Sequence, residues 1–220
     1  GGGTFLYHSK NKFSQVMGIE ISEKSVKFAT EKLGLRIESK LPDRIDGKLS
    51  AVTFWHSLEH IPAEYFKSIF ENIHTLSSSD SRVVISVPNA ESLQYNLFKE
   101  GFAYYDVPNH LHQFTTESLD LLMKNFGFEC VSGHKMPIYD LFGYIQGWLN
   151  KFISPANFLY YLLKRNFRNK EFIKFRKTKL VFSLLLSGLF LPLSLVLTIY
   201  DQLNSNRASV ITRCYRKTLL

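Results

Sequence analysis

Residues 1–20 read GGGTFLYHSKNKFSQVMGIE, and the interpretation of this stretch decides the fold. A run of glycine gains nothing from packing; its use is to let backbone take positive φ or approach a ligand closely. After it, FLYHSKNKF reads as a short helix and QVMGIEI as a buried strand ending near Glu20. Ser22 then stands as an N-cap with Glu23 in the first turn, Val26, Ala29 and Leu33 recur at helical spacing, and Gly34 sits where a helix closes. The unit is glycine loop, helix, strand, acid, helix. In a doubly wound α/β sheet such a loop follows the first strand and opens the first helix, while the acid at the tip of the second strand takes ribose hydroxyls. Gly3 to Glu20 spans 17 residues, near the ~20 of that pattern. On this reading the glycines follow a first strand that the chain does not contain.

Working outward, AVTFW (51–55) is a short apolar strand. HSLEH (56–60) leads into Pro62 at a helix start, where Glu59 and His60 are placed as caps and Phe66, Ile69, Phe70 and Ile73 share one face. VVISV (83–87) is a continuous apolar run of the buried parallel kind, stopped by Pro88. FTTESLDLLMKNFGFECV (114–131) gives a helix with Leu119, Leu122, Met123 and Phe126 inward, closed by Gly127, then a strand around Phe128 to Val131. This alternation argues an α/β fold with a mostly parallel sheet covered on both faces.

Composition narrows the function. The 220 residues are 45% hydrophobic and carry a net charge of +8. That charge is not spread as a nucleic-acid footprint: between Lys164 and Lys179 eight basic residues face one acid, Glu171, and the remainder is close to neutral. Cys130 and Cys214, far apart, make neither a disulfide framework nor a zinc site and fit a reducing, cytoplasmic compartment.

The succession GGGTF (1–5), VMGIEIS (16–22), VTFWHSLEHIP (52–62), VVISVPN (83–89) and DVPNHLHQFT (106–115) resembles the class I S-adenosylmethionine-dependent methyltransferases, in the branch with LEH after the fourth strand and P-x-H-x-x-x-F-T after the fifth. The likeness runs from Gly1 to about Val131. It implies a Rossmann-like sheet of seven strands whose last, antiparallel member Ser209 to Tyr215 would supply, and S-adenosylmethionine as cofactor. Gly1 and Gly3 would line its methionine and ribose part, Glu20 would take the ribose hydroxyls with Ile21 beside it, Ser39 would lie towards the adenine, and Trp55 and His56 would border the sulfonium. Ser50 stands where relatives usually open the fourth strand with an acid. Removing a proton from a hydroxyl acceptor suits a neutral histidine, and the resemblance points to His110 and then His112. Two histidines at i, i+2 without a third ligand are a poor metal site, so none is expected. A nicotinamide-dependent oxidoreductase would share the glycine loop and the acid. A non-catalytic membrane- or RNA-binding module would use the basic stretch with Phe167, Phe172 and Phe175.

The domain plan is a cofactor-binding core over 1–135, a basic and hydrophobic helical insertion over 136–205, and a final strand and tail over 206–220. Leu180 to Tyr200, LVFSLLLSGLFLPLSLVLTIY, has no charged residue and as one helix would be about 30 Å long, enough for a bilayer core. A full crossing would separate Ser209 to Tyr215 from the sheet. Pro192, four residues after Gly188, therefore predicts a break and a helical hairpin. The expected partner of 164–200 is an anionic membrane surface, with Trp148, Tyr160 and Tyr161 at the interface. A buried hairpin capping the site is the alternative. The acceptor implied by the resemblance is a small molecule, a sugar or a lipid-linked intermediate.

Overall fold

The computed structural model describes residues 1–163, 176–204 and 207–218. They form two compact units, Gly1–Lys48 and Leu49–Leu220.

In the first unit α1 (Thr4–Ser9) and α2 (Glu23–Leu33) accompany a parallel pair, β1 (Gly18–Ile19) and β2 (Ile37–Glu38). Gly3 begins α1 at φ 78, and a Cβ there would stand 2.8 Å from the Leu35 side chain, so both conformation and space require glycine. Gly34 closes α2 at φ 61. The strand predicted over QVMGIEI keeps only two paired residues, because a ladder is no longer than the partner opposite it and β2 offers two.

The second unit holds a four-stranded sheet in the order β3 (Leu49–Trp55), β4 (Ser77–Pro88), β6 (Val210–Lys217), β5 (Phe128–His134). β3 and β4 run parallel, with Val52 opposite Val83; β6 is antiparallel to β4 and to β5. The antiparallel final strand predicted at Ser209 to Tyr215 is therefore present, between β4 and β5. Its side chains fix it there: Tyr215 Oη donates to Asp120 Oδ1 at 2.8 Å and Arg213 pairs with the same carboxylate. Asp120 lies in α5 (Thr116–Asn125), whose start is a reciprocal cap between Thr115 and Ser118. α3 (Phe66–Leu76) buries Phe66, Phe70, Ile73 and Leu76, and the Phe70 ring meets Phe54 of β3 and Phe126 after α5. With Val83, Ile85 and Val87 of β4 these side chains form the core under the sheet.

Between β5 and β6 the chain forms α6 (Pro137–Phe152), α7 (Phe158–Leu163) and α8 (Arg176–Leu203). The hairpin predicted at Pro192 is not there: α8 is one helix of 28 residues that contains Pro192, about 42 Å long. Proline removes one helical hydrogen bond and crowds the carbonyl four residues back. Packing on both sides outweighs this, since Phe190 stacks on Trp148 of α6 at 4.8 Å and Leu197 packs on the cluster of Phe98, Phe102 and Tyr144. Trp148, expected at an interface, is thereby turned against α8. Most of the basic stretch, residues 164–175 with Phe167, Phe172 and Phe175, lies outside the described residues; Arg176 and Lys177 begin α8 and are exposed.

α8 buries polar side chains fully and leaves most of its apolar ones exposed. Its buried residues are Ser183, Ser194, Thr198 and Asp201, whereas Leu185 (67%), Leu189 (70%), Val196 (62%) and Ile199 (61%) are exposed. Its C-terminal end is held by buried polar groups: Tyr144 Oη donates to Asp201 Oδ2 at 2.7 Å, Gln202 Nε2 donates to Asp140 Oδ2 at 2.6 Å, and the Ser209 amide donates to Asp140 Oδ1 at 2.6 Å. These bonds tie α8 and the start of β6 to α6.

Candidate active site

In the first unit Glu20 directly follows β1. Its Oε1 accepts from the amides of Ile21 (2.9 Å) and Ser22 (2.8 Å), and its Oε2 meets the Gly1 amine. Burial works against the charged form of this carboxyl, and the backbone hydrogen bonds from Ser22 and Ile21 favour it. A charged acceptor therefore stands at the strand tip. Glu20, Ile21 and Ser39 line one open groove with Val26, Ile37 and Glu38. Three predicted cofactor residues are thus brought together, and Gly1 touches the acid. Gly3 packs closely against Leu35.

In the second unit the site begins at the tip of β3. His56 has φ 48, in the left-handed region that a residue with a Cβ rarely adopts, while its amide donates to the Ser86 carbonyl at 2.8 Å. Trp55, immediately before it, is 36% exposed. The His56 ring lies over Tyr104 and Tyr139, with centroids 6.2 and 5.6 Å away, and Tyr104 donates to the Tyr139 carbonyl at 2.8 Å.

The LEH turn is laced to the NHLH loop. The amides of Leu111 and His112 both donate to the Glu59 carbonyl, at 2.8 and 3.3 Å. His60 Nδ1 donates to the Asn109 carbonyl at 3.0 Å, and His112 Nε2 donates to the Ile61 carbonyl at 2.9 Å. The backbone lacing brings His110 against Glu59, with Nε2 3.9 Å from Oε1 and its ring 4.6 Å from that of His60. Burial pushes the His110 pKa down, and nearby Glu59 only partly opposes this, so the imidazole is neutral at pH 7. The two candidate histidines part here. His110 faces the acid; His112 holds the loop by its carbonyl bond and packs on Phe66 and Phe114.

Glu59 and His60 do not cap the following helix as predicted. Neither the turn beginning at Pro62 nor α3 has a side-chain cap, and Glu59 is fully buried in the histidine cluster. The sequence did carry a signal for this in the i, i+3 spacing of His56 and Glu59. Their partner His110 lies about 50 residues on, beyond any local pattern.

The strands, all running one way within each unit except β6, and the acid at a strand tip define the class: a Rossmann-like α/β enzyme with a nucleotide-type groove. The methyltransferase-domain family matches residues 1–133, and the chain belongs to that family as a class I S-adenosylmethionine-dependent methyltransferase. Among solved structures, the mycolic acid cyclopropane synthase CmaA1, complexed with SAH and CTAB, is 11% identical, with 99% of this chain and 75% of that one covered at a TM-score of 0.57. The cyclopropane synthase MmaA2 from Mycobacterium tuberculosis is 10% identical over the same shares, with a TM-score of 0.56. A SAM-dependent methyltransferase from Archaeoglobus fulgidus is 19% identical, with 99% and 82% covered and a TM-score of 0.52. These likenesses concern the fold. No curated protein matches the sequence.

Proposed function

We propose that the protein methylates a lipid-linked small molecule at the face of an anionic membrane. The observation that carries this is the inverted polarity of α8, whose exposed side is a stripe of leucine, valine and isoleucine. α8 is long and apolar enough to cross a bilayer, yet its C-terminus returns at once to β6 inside the sheet. Both facts are met if it lies in the interface with its apolar face in the acyl boundary. Arg176 and Lys177, with the basic residues before them in sequence, then meet anionic headgroups at about 1 kcal/mol each. That the cyclopropane synthase CmaA1 takes its name from mycolic acid accords with an apolar acceptor.

When bound, S-adenosylmethionine supplies a methyl already activated by its sulfonium charge. The protein's task is alignment, which supplies much of the acceleration in such displacements. Glu20 is the acceptor for ribose hydroxyls, with Ile21 and Ser39 along the groove towards the adenine. Trp55 and His56, at the end of β3, are assigned to the sulfonium side. His110, kept neutral by burial, is assigned to the acceptor side of the site.

Vesicle flotation tests the membrane reading. The protein should float with vesicles of phosphatidylcholine and phosphatidylglycerol, float less as salt rises, and stay in solution when Leu185, Leu189 and Val196 are all replaced by serine. Flotation that survives the triple substitution would discard it. Calorimetry with S-adenosylhomocysteine, NADH and a short RNA checks the cofactor: only the first should bind, and Glu20→Ala should weaken it.

A further inference from the structure

Glu59 is a fully buried acid of the second unit. Its side chain is 0% exposed and, among the described residues, no donor reaches either carboxylate oxygen in hydrogen-bond geometry. The nearest basic nitrogens are His56 Nδ1 at 3.5 Å and His110 Nε2 at 3.9 Å. A carboxylate removed from water and left without donors is strongly disfavoured unless a positive charge joins it. Its neighbours are arranged to receive one. His60 gives its Nδ1 hydrogen to the Asn109 carbonyl, which leaves the Nε2 lone pair free, the same outer support that metal-bound histidines use. One ligand atom from each of Glu59, His60 and His110 lies within 4.8 Å of the others. Bonds of about 2.0–2.2 Å to a central ion put ligand atoms roughly 3–3.5 Å apart, within reach of small side-chain rotations.

We propose that Glu59, His60 and His110 bind a divalent first-row transition cation of the zinc type. Two imidazoles and one carboxylate suit Zn²⁺ or Co²⁺, whereas Mg²⁺ and Ca²⁺ favour oxygen-only shells. Three protein ligands leave a fourth position for water or a hydroxyl oxygen, the open pattern of reactive and not of purely structural zinc sites. The exposed His60 puts that position on the solvent side of the buried acid. The third ligand absent from the local spacing of His110 and His112 is thus supplied by the LEH turn. The cation site does not depend on the membrane reading, since no residue of α8 belongs to it.

The test uses untagged, chelator-treated full chain titrated with Co²⁺. Visible d–d bands should saturate at one equivalent, be displaced by Zn²⁺ and be unaffected by millimolar Mg²⁺, and Zn²⁺ should raise the melting temperature. His60→Ala removes an exposed ring and should leave the fold intact by circular dichroism while weakening Co²⁺ binding about 100-fold; Glu59→Gln should do the same. Absence of saturable binding to the folded wild type would overturn the proposal, and so would binding that His60→Ala leaves unchanged. If no metal binds and Glu59→Gln lowers the melting temperature, the carboxylate is paired with a histidine proton instead, and the cation site is refuted.

Discussion

α3 and α8 both pack against the rest of their unit, and they do so with opposite chemistry. α3 turns Phe66, Phe70, Ile73 and Leu76 inward; α8 turns Ser183, Ser194, Thr198 and Asp201 inward and leaves most of its leucines outside. The first arrangement is what water imposes, because burying apolar area is the main favourable term in folding. The second relies on it less, since among the described residues only Leu180, Leu186, Phe190 and Leu197 of α8's apolar side chains pack inward. α8 is held by close approach over small side chains, by the stacking of Phe190 on Trp148 and by the Asp140 and Asp201 hydrogen bonds. Helices meeting through small and hydroxylated residues suit surroundings as apolar as the side chains themselves. The contrast is that apolar burial sets the inner face of α3, whereas buried polar pairs and a few apolar contacts set that of α8.

The largest effect should come from α3. Phe70→Ala empties a fully buried position between Phe54 and Phe126 and should cost about 3–5 kcal/mol, read by urea denaturation. A loss below 1 kcal/mol would mean that this helix is not the core element described. Next, Ser194→Leu forces a large side chain into a fully buried position of α8 and should cost about 1–3 kcal/mol, although it makes the helix more apolar. A stabilising outcome would show that α8 has room on α6.

A smaller effect is read through pH. Burial pushes the Asp201 carboxyl up to about 6, against the hydrogen bond from Tyr144, which pulls the other way, and with Asp140 adding to the rise. The folded chain therefore holds a proton that the unfolded chain releases, so this contribution is present below about pH 4 and is lost as pH rises through about 6. Asp201→Asn should accordingly compare better with wild type at pH 7.5 than at pH 5 in parallel denaturation curves. A difference independent of pH would place Asp201 in water. The smallest effect on stability belongs to the outer face: Leu189→Ala, at a position 70% exposed, should change stability by less than about 0.5 kcal/mol. If it proved strongly destabilising, that face would be covered by protein and the contrast with α3 would fail.

Most of the second unit's elements can be read along the chain, because their causes are local. α3 and α5 follow from apolar residues at helical spacing, α5 also from the Thr115 cap, and β3 and β4 from apolar runs bounded by turn residues. The acid groove is legible as well, since strand tip, acid and helix start are consecutive in Glu20, Ile21 and Ser22. Three matters were decided only by tertiary structure. Pro192 and Gly188 are local breakers, and what keeps α8 straight is packing on α6, about 40 residues earlier. The buried environment of Glu59 needs the NHLH loop folded over it, and nothing within a turn of Glu59 announces that loop. The inward serines of α8 belong to a run that reads as uniformly apolar, so periodicity cannot say which face meets protein. Backbone preferences and caps act within a few residues and are written in the sequence; burial and the pairing of charges are properties of neighbours in space, which only the folded chain supplies.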